Sequence, residues 1–124
     1  MTDAPQRIFI VEDEVMVAFE MTDTLEDLGF EVVGPSVHLD DAKEKAREGE
    51  FDVAFLDVNL GAGKTSRPVA DILREREIPF VFITAYNPDQ ITFLDEKDEV
   101  VRKPVSSDKL LNALRSVWPG LETE

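Results

Sequence analysis

Five short runs of β-branched and aromatic residues alternate with segments of helical periodicity, and this alternation constrains the chain more than any other feature. Arg7-Ile8-Phe9-Ile10-Val11 opens the series. Residues 15–28 follow, with Val15, Ala18, Phe19, Met21, Thr22, Leu25 and Leu28 at helical spacing and Gly29 as C-cap. Residues 31–34 read as a second strand. Leu39–Glu48 reads as a more polar helix, with Asp40 or Asp41 near its start and Gly49 closing it. The third strand is the apolar run Val53-Ala54-Phe55-Leu56, which ends abruptly in Asp57. Ser66 and Pro68 mark a third helix that carries Val69, Ile72 and Leu73 inward. Phe80-Val81-Phe82-Ile83 is a fourth strand ending in Thr84. Asn87 and Pro88 open a loop or weak helix that runs to Leu94, and residues 95–99 (DEKDE) form a solvated turn. Val100-Val101-Arg102 is a short fifth strand, ending in Lys103-Pro104. Ser106 or Ser107 caps the last helix, residues 108–117, with Leu110, Leu111, Leu114 and Val117 on its inner face. Such alternation predicts an α/β fold, a doubly wound parallel sheet with right-handed crossovers.

The chain of 124 residues reads as one domain, 1–124, with a core of about residues 6–118 and a short acidic tail. It has no internal repeat and no linker. Net charge is −14, from 27 acids against 13 bases. That excess argues against nucleic acid and anionic membranes, both of which need a basic face. It suits a basic partner, or a cation held among clustered acids. The absence of Cys removes disulfides, thiolate metal sites and a Cys nucleophile. No stretch approaches about 18 consecutive apolar residues, and the first residues lack the pattern of a signal peptide. The expected location is the cytoplasm.

Chemistry collects at the strand ends. In a parallel sheet the carboxyl ends share one edge, and ligands bind where the strand order reverses. Here the ends are Glu12 and Asp13, Asp57 with Asn59 two residues on, Thr84, and Lys103. Crowded carboxylates repel, so a cation is expected among them. Oxygen-only ligands at a partly open site favour Mg²⁺. Lys103 adds a fixed positive charge and Thr84 a hydroxyl, which together make a place for a phosphoryl group. Gly63-Lys64-Thr65 is not a P-loop, because Val58 stands where the motif needs Gly. His38 reads as a surface residue, and Trp118 as a cover for the end of the last helix.

The ordered set Glu12-Asp13, Asp57, Thr84 and Lys103-Pro104 resembles the receiver domain of two-component response regulators, over essentially the whole chain. The resemblance implies a flavodoxin-like sheet in the order 2-1-3-4-5, and Asp57 as acceptor of a phosphoryl group. It implies that Asp13, Asp57 and the backbone carbonyl of Asn59 ligate Mg²⁺, with Glu12 acting through a water. Thr84 and Lys103 would hold phosphate oxygens, and the bond before Pro104 would be cis. An ordinary carboxylate is ionised at pH 7, so the nucleophile is expected to need no general base. The donor would be a sensor histidine kinase or a histidine phosphotransfer protein. The chain would not be an enzyme beyond self-catalysed phosphoryl transfer and autodephosphorylation.

A Mg²⁺-dependent phosphohydrolase of the haloacid dehalogenase type is the alternative. Its D-x-D pattern is broken here by Asn59, which cannot shuttle protons. Within receivers, Val100 stands where a switch aromatic is usual. Phe82-Ile83-Thr84-Ala85-Tyr86 resembles a Phe-Ala-Thr-Gly-hydrophobic-Tyr motif of an alphaproteobacterial subgroup, differing at Ile83 and Ala85 and one residue shorter. Tyr86 and residues 87–94 are the expected switch. With no second module in the chain, a stand-alone receiver is expected. It would signal by protein contact or onward phosphotransfer to an unknown downstream protein, or act as a phosphate sink competing for a kinase.

Overall fold

Each apolar run becomes a strand of one parallel sheet, because both of its faces are covered by helices. The computed structural model describes residues 6–85 and 98–118. In chain order the elements are β1 (Arg7–Val11), α1 (Val15–Asp27), β2 (Glu31–Ser36), α2 (Leu39–Glu48), β3 (Val53–Asp57), α3 (Arg67–Glu75), β4 (Phe80–Thr84), β5 (Glu99–Arg102) and α4 (Ser107–Val117). The sheet order is β2-β1-β3-β4-β5, all parallel. Tyr86, residues 87–94 and the acidic tail lie outside the described residues.

Side chains on the strands alternate between two cores, as the period of two requires. Ile8, Ile10, Val53, Phe55, Val81 and Ile83 pack with Met21 and Leu25 of α1 and Leu110 and Leu114 of α4. Phe9, Val11, Ala54, Leu56 and Phe82 pack with Ala42 and Ala46 of α2 and Val69, Ala70 and Leu73 of α3. Burying each such Leu, Ile or Phe contributes about 1.5–3 kcal/mol, so the central strands are the best-anchored part of the sheet. The functional edge is therefore mounted on their ends.

Local departures from the sequence expectation have physical causes. β2 runs on through Pro35 to Ser36, two residues beyond the expected end at Gly34. A register shift against β1 between Phe9 and Val11, with Gly34 at φ +93°, absorbs the irregularity. α1 ends at Asp27 with Leu28 as C-cap, and Gly29 takes the following left-handed position at φ +98°. Val15, Phe19 and Leu28 keep helical spacing but face solvent, as does Met16. β5 begins one residue earlier, at Glu99, which joins the strand instead of the turn. Ser106, not Ser107, is the cap of α4: its Oγ accepts from the Lys109 N–H at 3.3 Å. Trp118 closes the end of α4 with its ring 6.0 Å from that of Phe30, and His38 is exposed.

Candidate functional site

Register brings the chemistry to one edge. Val11 pairs with Leu56, Asp57 with Ile83, and Thr84 with Arg102. Glu12 and Asp13 leave β1, Asp57 ends β3, Thr84 ends β4, and Lys103 follows β5. The Lys103 N–H donates to the Thr84 carbonyl at 2.8 Å, tying the last two strand ends together. The Lys103–Pro104 peptide is cis. Carboxylate oxygens of Glu12, Asp13 and Asp57 lie within 4.8 Å of one another. Glu12, Asp57 and Thr84 are buried, and Asp13 is half-buried.

Lys103 is the cation at the centre. Its Nζ lies 3.4 Å from Asp57 Oδ2, 3.2 Å from Glu12 Oε1 and 3.1 Å from Glu14 Oε1. Glu14 was not singled out from the sequence. The only signal for it is that it is the third acid in the run Glu12-Asp13-Glu14. Its backbone is fixed by two bonds: its N–H donates to Glu12 Oε2 at 3.1 Å, and its carbonyl accepts the first helical bond of α1, from Ala18.

The surroundings of Asp57 differ from those of an ordinary carboxylate. Burial pushes the Asp57 carboxyl up to about 8, and the hydrogen bond and charge of Glu12 push it the same way. Lys103 pulls it down, but less strongly. Asp57 was expected to be ionised at pH 7 like an ordinary carboxylate. Burial and the neighbouring Glu12 instead shift it toward the protonated form, against the pull of the Lys103 ammonium. Burial also opposes the charge on Lys103, but the charges of Asp57 and Glu12 outweigh it and raise its pKa, so the ammonium stays protonated.

The donor set suits a hard cation. Glu12 Oε1 is buried and lies near Lys103, yet makes no hydrogen bond. A buried carboxylate oxygen with no hydrogen bond, beside two more carboxylates, offers oxygen and nothing softer, which fits Mg²⁺. The loop after β3 passes close by. At Gly61 the backbone is left-handed, φ +79°, and an added Cβ would stand 3.2 Å from Asp13 Oδ2. Asn59 lies in that loop, bridged to Thr65, and the Val58 N–H donates to the Ile83 carbonyl at 2.9 Å. Val100, in the usual place of a switch aromatic, pairs with Phe82 and packs half-buried on the α2–α3 side.

A doubly wound α/β protein with an acidic crevice at the reversal of strand order is the class that fold and site define. Comparison with known proteins is more specific: residues 8–115 match the response regulator receiver domain, and the chain belongs to that family. It is similar to SdrG from Sphingomonas melonis Fr1, at 37% identity and a TM-score of 0.81, covering 93% of this chain and 98% of that one. The BeF3-activated conformation of SdrG superposes with a TM-score of 0.75. The phyllosphere-induced regulator PhyR of Methylorubrum extorquens is 34% identical over 86 residues, 68% of this chain and 32% of PhyR. The chain thus spans about a third of the length of that curated relative. No described helix is long and apolar enough to cross a membrane.

Proposed function

We propose that Asp57 accepts a phosphoryl group from a phosphohistidine on a sensor kinase or a phosphotransfer protein, with Mg²⁺ held by Asp13, Asp57 and the Asn59 carbonyl and steadied by Glu12. The observation that carries this reading is the buried position of Asp57 at the end of β3, its Oδ2 3.4 Å from Lys103 Nζ among acids within 4.8 Å of each other. A carboxylate oxygen of Asp57 forms the new P–O bond as the P–N bond of the donor breaks, and the imidazole leaves with the electron pair. Lys103 steadies the charge on the transferring oxygens, and the Thr84 hydroxyl donates to one of them. When bound, Mg²⁺ supplies the positive charge that keeps Asp57 ionised and offsets charge on the phosphoryl group.

The likeness to SdrG supports the same reading, since a BeF3-activated conformation is described for that protein. The chain acts in the cytoplasm as a phosphoacceptor receiver, not a turnover enzyme. Its output is contact with a downstream protein or onward transfer of the phosphoryl group.

The test is incubation with a phosphorylated histidine kinase and Mg²⁺, followed by intact-mass measurement. The wild type should gain one hydroxylamine-sensitive phosphoryl group, and Asp57→Asn should gain none, because an amide is not a nucleophile. Undiminished labelling of Asp57→Asn would refute the assignment. Multiple turnovers on a phosphate ester would favour a phosphohydrolase instead.

A further inference from the structure

Three carboxylates share the Lys103 ammonium, and they are not equivalent. The Glu12 and Asp57 side chains are 1% and 6% exposed, whereas that of Glu14 is 63% exposed. The exposed one makes the shortest contact, 3.1 Å, against 3.4 Å for Asp57. A buried carboxylate that loses its cation is left uncompensated, which is costly. An exposed one is taken up by water, so its pair is weak and easily exchanged. Of the three, Glu14 is therefore the ligand Lys103 can leave. Its side chain also lines a groove of about 490 Å³ between α1 and the loop after β5. Val17, Glu20, Thr24, Pro104 and Val105 line the same groove.

We propose that Glu14 is a positioning residue for Lys103. At rest its carboxylate draws the ammonium toward the rim of the crevice, and it gives the ammonium up when phosphoryl oxygens arrive at Asp57. This role rests on the phosphoacceptor reading of Asp57. An ammonium has three donors, and all are directed to carboxylates at rest. Phosphoryl oxygens at Asp57 compete for those donors, and the exchange costs least at Glu14. The resting pair thus works against the modified state, and removing it favours that state.

The experiment is titration of the whole chain with beryllofluoride in excess Mg²⁺, together with the ¹⁵N NMR signal of the Lys103 ammonium in the free protein. Glu14→Gln should bind the mimic about two- to fivefold more tightly, the range an exposed ion pair carries. Its free Lys103 signal should move toward the bound position. Glu20→Gln removes the same charge from the same groove but from a residue that forms no ion pair with Lys103, and it should change neither readout. Equal tightening by both variants would reduce the effect to general charge and overturn the role of Glu14. So would an unmoved Lys103 signal, or unchanged affinity, in Glu14→Gln. Failure of the wild type to bind beryllofluoride would instead overturn the phosphoacceptor reading itself, and the role of Glu14 with it.

Discussion

Asp57 ends β3 and Asp41 lies in the first turn of α2, yet their surroundings drive them in opposite directions. Asp57 sits among acids and is pushed up to about 8, chiefly by burial and then by Glu12. Asp41 lies in the first turn of α2 and is held below the ordinary range, chiefly by the Ser36 hydroxyl, which donates to it at 2.7 Å. Burial opposes that shift, and Lys45, 3.2 Å away and one turn on, adds to it. An acid surrounded by donors is complete and serves the fold. An acid surrounded by acids is incomplete and needs charge from outside the chain. The contrast separates a structural carboxylate from a functional one more sharply than residue type does.

The strongest way to break the contrast is to titrate it. Without a divalent cation, native Asp57 binds a proton that the unfolded chain has already released near pH 4, so stability falls as pH rises from about 4 to 8. The loss should be on the order of a few kcal/mol across that span. Thermal melts of wild type should show the slope, Asp57→Asn should flatten it, and millimolar Mg²⁺ should offset it most at the alkaline end. A metal-free wild type that gains stability relative to Asp57→Asn as pH rises over this range would contradict the assigned surroundings of Asp57.

Asp13→Ala sharpens the same contrast by removing one ligand from the cluster. The increase in melting temperature on adding Mg²⁺ should shrink or vanish, since a cation stabilises only as far as it binds the native state; full occupancy at a hundredfold excess over Kd gives about 2.7 kcal/mol. Calorimetric titration measures the weaker binding directly.

Ser36→Ala gives the smallest effect and works from the other side. Loss of one hydrogen bond to a partly exposed carboxylate should cost about 0.5–1.5 kcal/mol at pH 7. Because Asp41 is lowered in the native state, that cost should fade as pH falls below about 4 and the carboxylate is protonated. Urea melts of both proteins at pH 7 and pH 3 give the comparison.

Much of this was legible in the sequence. The sheet follows from the alternation of elements, and the edge residues Glu12, Asp13, Asp57, Thr84 and Lys103 follow from where each apolar run stops. Other features were not legible, for particular reasons. α1 carries more apolar residues than the sheet can cover, so spacing alone could not show that Val15 and Phe19 face water, at 51% and 57% exposure. Glu14 is one of three adjacent acids. It is distinguished only by Lys103, 89 residues away in sequence, whose ammonium reaches it once the sheet has formed. The raised proton affinity of Asp57 depends on depth of burial and on the orientation of Glu12, neither of which a strand-end motif encodes. The extension of β2 past Gly34 and Pro35 depends on a register shift against β1.

Trp118 packs on Phe30, which stands just before β2, at the amino ends of the strands. The acidic crevice lies at their carboxyl ends, about 16 Å away along a five-residue strand. The chain has one Trp, so its fluorescence comes from the edge of the sheet opposite the chemistry. Its emission should follow collapse of the whole α1–α4 core while staying almost blind to events at Asp57. Trp118 emission therefore reports global unfolding separately from occupation of the crevice.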